Sequence, residues 1–152
     1  MRSGPERFDS RDVAALVDAQ QEEMRGRYEG EADIGPGREA EMFEEPDGVF
    51  LVLRDDDGAA SGCGGVCRFD ERRAELKRMY VVPRARGLGL GRRLLEELEE
   101  HARRLGYRAV VLETGDRQPE ALGLYVSAGY ERIPCYPPYS ERSLSLCFEK
   151  RL

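Results

Sequence analysis

Residues 81–95 read Val-Val-Pro-Arg-Ala-Arg-Gly-Leu-Gly-Leu-Gly-Arg-Arg-Leu-Leu, three alternating glycines at the point where an apolar strand gives way to a helix. This junction constrains the chain more than any other segment. Upstream, Ala74–Val82 has strand composition. Downstream, Leu90, Leu94, Leu98, Ala102 and Leu105 recur at helical spacing, which predicts a helix from about Leu88 to Leu105. Gly106 is a natural C-terminal stop, and Ala109–Glu113 is a compact apolar strand. A strand, a helix and a second strand in that order form a right-handed crossover between parallel neighbours.

Around that unit the chain supplies the rest of an α/β fold with a mixed sheet. A strand-like start at Pro5–Phe8 precedes a helix capped by Asp9 or Ser10, with Val13, Val17, Met24 and Tyr28 at helical spacing. Gly30–Gly37 reads as a loop and Glu39–Glu44 as a short helix. Val49–Leu53 and Ala59–Phe69 make a hairpin closed at Asp56-Asp57-Gly58. A further helix covers about Pro119–Ala128, and strands follow at Tyr130–Ile133 and Ser143–Glu149. With 152 residues and no internal repeat, one domain over residues 1–152 is expected.

The glycine junction also carries chemistry. The first turn of a helix has unpaired N–H groups and the positive end of the helix dipole, so it suits a pyrophosphate. Arg84, Arg86, Arg92 and Arg93 crowd the same end, against the dipole; an anionic ligand resolves that conflict. A dinucleotide fingerprint needs glycine at position 92, where Arg92 stands, and a Walker loop needs Gly-Lys-Ser/Thr, which is absent.

Arg86-Gly87-Leu88-Gly89-Leu90-Gly91, preceded by Val81-Val82-Pro83, resembles the Arg-x-x-Gly-x-Gly coenzyme A motif of the GNAT N-acetyltransferases. Leu124-Tyr125 followed by Gly129-Tyr130 is similar to that family's C-terminal motif. The resemblance spans about Val49 to Leu152. It implies a central mixed sheet of six to seven strands flanked by about four helices, with acetyl-CoA as cosubstrate and no metal. By the same resemblance, pyrophosphate sits on the backbone of Gly87, Leu88, Gly89, Leu90 and Gly91 and the N–H of Arg92, with Arg86 beside it. The pantetheine arm runs along Met79, Tyr80 and Val81. The Met79 N–H polarises the thioester carbonyl, and Tyr125 protonates the departing thiolate. Gln118 stands where the family often has asparagine.

A base must deprotonate the amine. Strand alternation puts Glu75, Lys77, Met79 and Val81 on one face, making Glu75 the leading base, roughly 13 Å from Met79 at ~3.3 Å per residue. Glu113 is the alternative. Tyr136 and Tyr139 in the last loop are candidates to wall the acceptor site. His101 reads as structural.

Composition narrows the partners. A net charge of −6 argues against nucleic acid and is compatible with a cationic amine. No apolar run is long enough for a membrane span. The N-terminus lacks the apolar centre of a signal peptide, so a cytoplasmic monomer or homodimer is expected. Cys63 and Cys67, four residues apart on one strand, are too distant to join and read as buried thiols. The acceptor remains open between a small-molecule amine and a protein lysine or N-terminus, with a non-catalytic acyl-CoA-binding module as the third possibility.

Overall fold

The computed structural model describes residues 1–27 and 39–152. Tyr28 and the expected Gly30–Gly37 loop lie outside the described residues. Among the described residues, seven strands form one mixed sheet: β1 (Arg2–Pro5), β2 (Val49–Arg54), β3 (Ala60–Arg68), β4 (Arg73–Val81), β5 (Ala109–Gly115), β6 (Glu131–Ile133) and β7 (Ser145–Arg151). Their spatial order is β1-β2-β3-β4-β5-β7-β6. All neighbours are antiparallel except β4 and β5, which are parallel, as the crossover reading requires. Among the described residues, four α-helices accompany the sheet: α1 (Arg11–Arg27), α2 (Glu39–Met42), α3 (Leu90–Arg104) and α4 (Pro119–Ser127).

The first strand lies earlier than expected, at Arg2–Pro5 rather than Pro5–Phe8. Phe8 leaves the strand path to pack against Phe43 and Phe50, with ring centroids 5.2 Å from each. A proline is tolerated at Pro5 because β1 is an edge strand.

The sheet separates two cores. Val49, Leu51, Val66, Leu76, Val110 and Leu112 face Leu94, Leu95 and Leu98 of α3. Phe50, Val52, Cys63 and Cys67 face Val13 and Leu16 of α1 and Phe43. The glycine-rich strand β3 follows from this close packing. A Cβ on Gly64 would lie 2.7 Å from the Met79 sulfur and 2.9 Å from Leu98; one on Gly65 would lie 2.6 Å from the Phe43 ring. Low strand propensity is the cost of letting two layers approach the sheet.

Two features of β4 shape the site. Its pairing with β5 stops at Leu76↔Leu112, so the edge of Met79–Val81 facing β5 has no strand partner. Its register with β3 also shifts, since Gly65 pairs with Lys77 but Cys63 with Tyr80. The extra residue is a β-bulge at Arg78, whose φ is 62°. The bulge overturns the alternation argument. Leu76 and Met79 both pack toward α3, while Tyr80 packs toward α1. Glu75, next to Leu76 on the pleat, therefore lies on the face opposite Met79.

Candidate functional site

The glycine junction forms the N-terminus of α3. Gly87 and Gly89 have φ of 81° and 76°, the left-handed region that side chains with a Cβ rarely adopt. Gly89 is the N-cap residue and offers no side chain to the helix end. A Cβ at either position would meet no atom within 4 Å. The space beside the first-turn N–H groups is therefore open, as a phosphate ligand needs.

This cradle opens into a cleft of about 510 Å³ lined on one wall by Met79, Tyr80, Val81, Arg86, Gly87, Gly89, Leu90, Gly91 and Arg92, and on the other by Gln118, Leu124 and Tyr125. Helix α1 closes it with Gln20, Glu23, Met24 and Arg27. Every residue expected to contact a coenzyme lines the cleft except Leu88, which is 67% exposed. Arg86 and Arg92 line it, whereas Arg84 and Arg93 do not. Arg84 reaches Ser61 and Asp55, and Arg93 pairs with Glu97. Arg92 bonds the Ser127 hydroxyl and so ties α3 to α4. The Arg86 guanidinium donates to the Val81 carbonyl and to both carboxylate oxygens of Glu23.

A second, smaller cavity of about 80 Å³ adjoins the cleft and includes Glu75, Lys77, Arg78, Glu113, Thr114 and Tyr139. Gln20, Met24, Met79, Gln118 and Tyr125 line both spaces, so they mark the junction. The gap between β4 and β5 lies there, beside Met79–Val81, where the Met79 carbonyl accepts from Gln20 and the Val81 carbonyl from Arg86.

Tyr125 reaches this junction from α4. It is 6% exposed and packs edge-on against Tyr130 at 5.8 Å. Burial, and then the charge of Glu113, push its phenol well above the ordinary value of 10, so it keeps its proton at neutral pH.

On the acceptor side, the Tyr136 hydroxyl donates to Glu75 at 3.0 Å, and Lys77 donates to the Tyr139 hydroxyl at 3.1 Å. The two rings meet edge-on at 5.8 Å. Burial and then the Glu75 carboxylate raise the Tyr136 phenol well above its usual range, so it remains a donor. Ser145 donates to Glu113 at 2.6 Å. The bulge sets Glu75 and Met79 on opposite faces, yet both line the smaller cavity, because the strand edge there is open to each face.

The free cysteines and the lone histidine lie apart from the site. Cys63 and Cys67 are buried thiols, and burial pushes the Cys63 thiol up to about 12. His101 is half-buried on α3 and lines neither cavity. No group of His, Cys, Asp and Glu among the described residues could hold a metal ion. No helix among them is long and apolar enough to cross a membrane.

Sequence reasoning missed several features. Cys135 and Cys147 are joined in a disulfide, with Cα atoms 5.1 Å apart, which ties the last loop to β7. Their position flanking a loop between two strands was the available signal. Gln20 and Glu23 also line the cleft, and the apolar periodicity of α1 carries no signal for its polar residues. Gln20 donates to the Met79 carbonyl at 2.9 Å.

Comparisons with known proteins show the family and the fold. Residues 13–130 match the model of the Acetyltransferase (GNAT) family. The chain is 41% identical over 132 residues to a protein named IAA acetyltransferase from Azospirillum brasilense, covering 83% of this chain and 84% of that one. It is 31% identical over 96 residues to the uncharacterized N-acetyltransferase YjgM of Escherichia coli, covering 61% and 57% of the two chains. The crystal structure of a putative acyl-CoA N-acyltransferase from Klebsiella pneumoniae superimposes with a TM-score of 0.86 at 28% identity, over 99% of this chain and 97% of that one. A GNAT acetyltransferase from Elizabethkingia anophelis, solved with acetyl-CoA bound, shares the fold at a TM-score of 0.70 and 15% identity, over 99% and 97% of the two chains. The family match over most of the chain, together with 41% identity across most of a relative, makes this protein a member of the GNAT family of N-acetyltransferases.

Proposed function

We propose that the chain, as one domain over residues 1–152, transfers an acetyl group from acetyl-CoA directly to the primary amine of a small molecule. The observation that carries this is the continuity of the cleft. It runs from the open glycine cradle at Gly87 and Gly89, past the Met79–Val81 segment that lies beyond the β5 pairing, to Tyr125, where the smaller cavity begins.

In this reading the pyrophosphate lies on the Gly87–Gly91 backbone and the N–H of Arg92, with Leu88 and Leu90 contributing backbone only. The pantetheine arm runs along the backbone of Met79, Tyr80 and Val81, and Gln118 closes the far side. The amine nitrogen attacks the thioester carbonyl and gives a proton to Glu75, directly or through a water, with Glu113 as the alternative base. The Met79 N–H stabilises the charge that develops on the carbonyl oxygen. The carbon–sulfur bond breaks, and Tyr125 protonates the thiolate. The Tyr125 phenol keeps its proton at neutral pH, and because burial raises it, it gives that proton up only to a base as strong as the departing thiolate.

The name of the Azospirillum relative is consistent with a small-molecule acceptor. The test is thiol release from acetyl-, propionyl- and succinyl-CoA with polyamines, amino acids, aminoglycosides and peptides. Release with a small amine and acetyl-CoA is the expected result. Release with peptides alone overturns the acceptor class, and none with any amine leaves a coenzyme-binding module.

A further inference from the structure

The Cys135–Cys147 disulfide joins residues 12 apart in sequence, and the loop it closes leans on the smaller cavity. We propose that this disulfide is a redox switch on acceptor use. Intact, it holds the loop between β6 and β7 against the cavity. Its reduction by a small thiol loosens that wall and weakens acceptor binding, while coenzyme binding stays as it was. This rests on the reading of the chain as an N-acetyltransferase that takes its acceptor in this cavity.

The cross-linked segment reaches the cavity through three side chains, all between the two cysteines. The Tyr136 hydroxyl donates to Glu75 at 3.0 Å, Lys77 donates to the Tyr139 hydroxyl at 3.1 Å, and the Ser145 hydroxyl donates to Glu113 at 2.6 Å. Both candidate bases are therefore tied to this segment, and the sulfurs stand next to those ties. Cys135 directly precedes Tyr136 in the chain. Cys147 is the β7 residue paired with Glu113 of β5, and residues directly opposite in an antiparallel pair are side-chain neighbours on one face. Besides the disulfide, the backbone before Cys135 is held by β6, a three-residue edge strand whose last residue, Ile133, pairs with Cys147. Pro134, Pro137 and Pro138 fix φ around Cys135 and Tyr136, which leaves few free torsions to absorb a displacement of the sulfur.

None of residues 134–147 lines the coenzyme cleft, so the cross-link bears on the acceptor side alone. Cys135 is half-buried, whereas Cys147 is fully buried. An incoming small thiolate therefore attacks the Cys135 sulfur. A mixed disulfide forms there, the Cys135–Cys147 bond breaks, and its electron pair leaves on the Cys147 sulfur, which takes a proton. A second small thiolate attacks the small-molecule sulfur of the mixed disulfide and releases Cys135, which is protonated in turn. Two small thiols are thereby oxidised to one small disulfide, and the protein gains two cysteine thiols. The reverse exchange, with the small disulfide as oxidant, restores the cross-link. A reachable sulfur is what makes a disulfide labile to such exchange.

The test compares the oxidised protein, the protein reduced with glutathione, and Cys135→Ser. Thiols are counted by mass after alkylation under denaturing conditions. Polyamines, amino acids and aminoglycosides serve as acceptors, and the acetylated amine is detected by mass, so that added thiol does not interfere. Reduction is expected to raise the acceptor KM at least about fivefold and to leave the acetyl-CoA Kd within about twofold. Cys135→Ser matches the reduced protein, and glutathione disulfide restores the wild type but not the variant. Unchanged acceptor kinetics in wild type carrying all four thiols overturn the inference while leaving acetyl transfer intact. So does a disulfide that glutathione cannot reduce in the native protein. An equal loss of acetyl-CoA affinity also overturns it, since the cross-link would then support the whole fold. Acetylation of none of the amines overturns the transferase reading and this inference together.

Discussion

Glu23 of α1 and Arg86 of the glycine junction face each other in a two-point ion pair, at 3.0 and 2.7 Å. The pair bridges the cleft wall where a coenzyme pyrophosphate is proposed to sit. Arg86 cannot give its full positive charge to a phosphate while Glu23 holds it. Glu23→Gln is therefore expected to tighten acetyl-CoA binding two- to fivefold, on the order of 0.5–1 kcal/mol for a half-exposed pair. Calorimetry decides this, and weaker binding in the variant would mean that Glu23 organises the site rather than competing for it.

The same pair sets a pH dependence. The hydrogen bond from Arg86 holds the Glu23 carboxyl below its ordinary range. A carboxyl lowered in the folded state adds stability above its unfolded value, about 4.3, and loses it as pH falls through the folded value. The stability difference between wild type and Glu23→Gln should be largest near pH 6, at most about 1 kcal/mol, and fade toward pH 3. Urea unfolding at several pH values measures it; a difference that grows in acid contradicts the assignment.

Gly89 combines a positive φ with an open approach to the helix end. Gly89→Ala adds strain alone, about 1 kcal/mol or slightly more. Gly89→Asp adds the same strain and a carboxylate facing the phosphate site. We expect the alanine variant to weaken acetyl-CoA binding modestly and the aspartate variant to abolish it, both with native circular dichroism. Equal affinities for the two variants would place the phosphates elsewhere.

Tyr125→Phe keeps the ring that packs on Tyr130 and removes the proton. A general acid of this kind contributes about 10²–10⁴-fold, and water can replace part of it, so the turnover number should fall at least about tenfold. Acetyl-CoA affinity should hardly move. The basic limb of the pH–rate profile should shift as well, because the donor is gone. Wild-type turnover across pH 6 to 10, with chemistry rate-limiting, would leave Tyr125 as a packing residue.

No acyl-enzyme on cysteine is expected. Cys63 is fully buried, and its thiol is pushed up to about 12, far from the thiolate form that reacts. Initial-rate plots should intersect, as a ternary complex requires, and Cys63 should resist alkylation in the folded protein. Parallel lines or an isolable acetyl-cysteine would overturn direct transfer.

The sequence by itself determined those features that depend on local physics. The leucine stripe of α3 and the stop at Gly106 follow from helical period and backbone freedom. The parallel pairing of β4 with β5 follows from chain handedness. The alternation of Gly87, Gly89 and Gly91 at a strand end predicts an anion cradle, and each of the three lines the cleft. Tertiary structure decided what depends on register and on meetings across the chain. A single extra residue at Arg78 flips the pleat, so the face shared by Glu75 and Met79 in an ideal strand is not shared in the protein. Nothing local to residues 73–81 announces that bulge, because it arises from pairing with β3. The same holds for Arg86, which a motif reading hands to a phosphate alone and which the fold also gives to Glu23, 63 residues away. The disulfide of Cys135 with Cys147 likewise needs the last loop to fold back on β7. Periodicity is written into neighbouring residues, whereas register and long-range charge pairing are set only when separate elements dock, and both determine which side chains share the cavity.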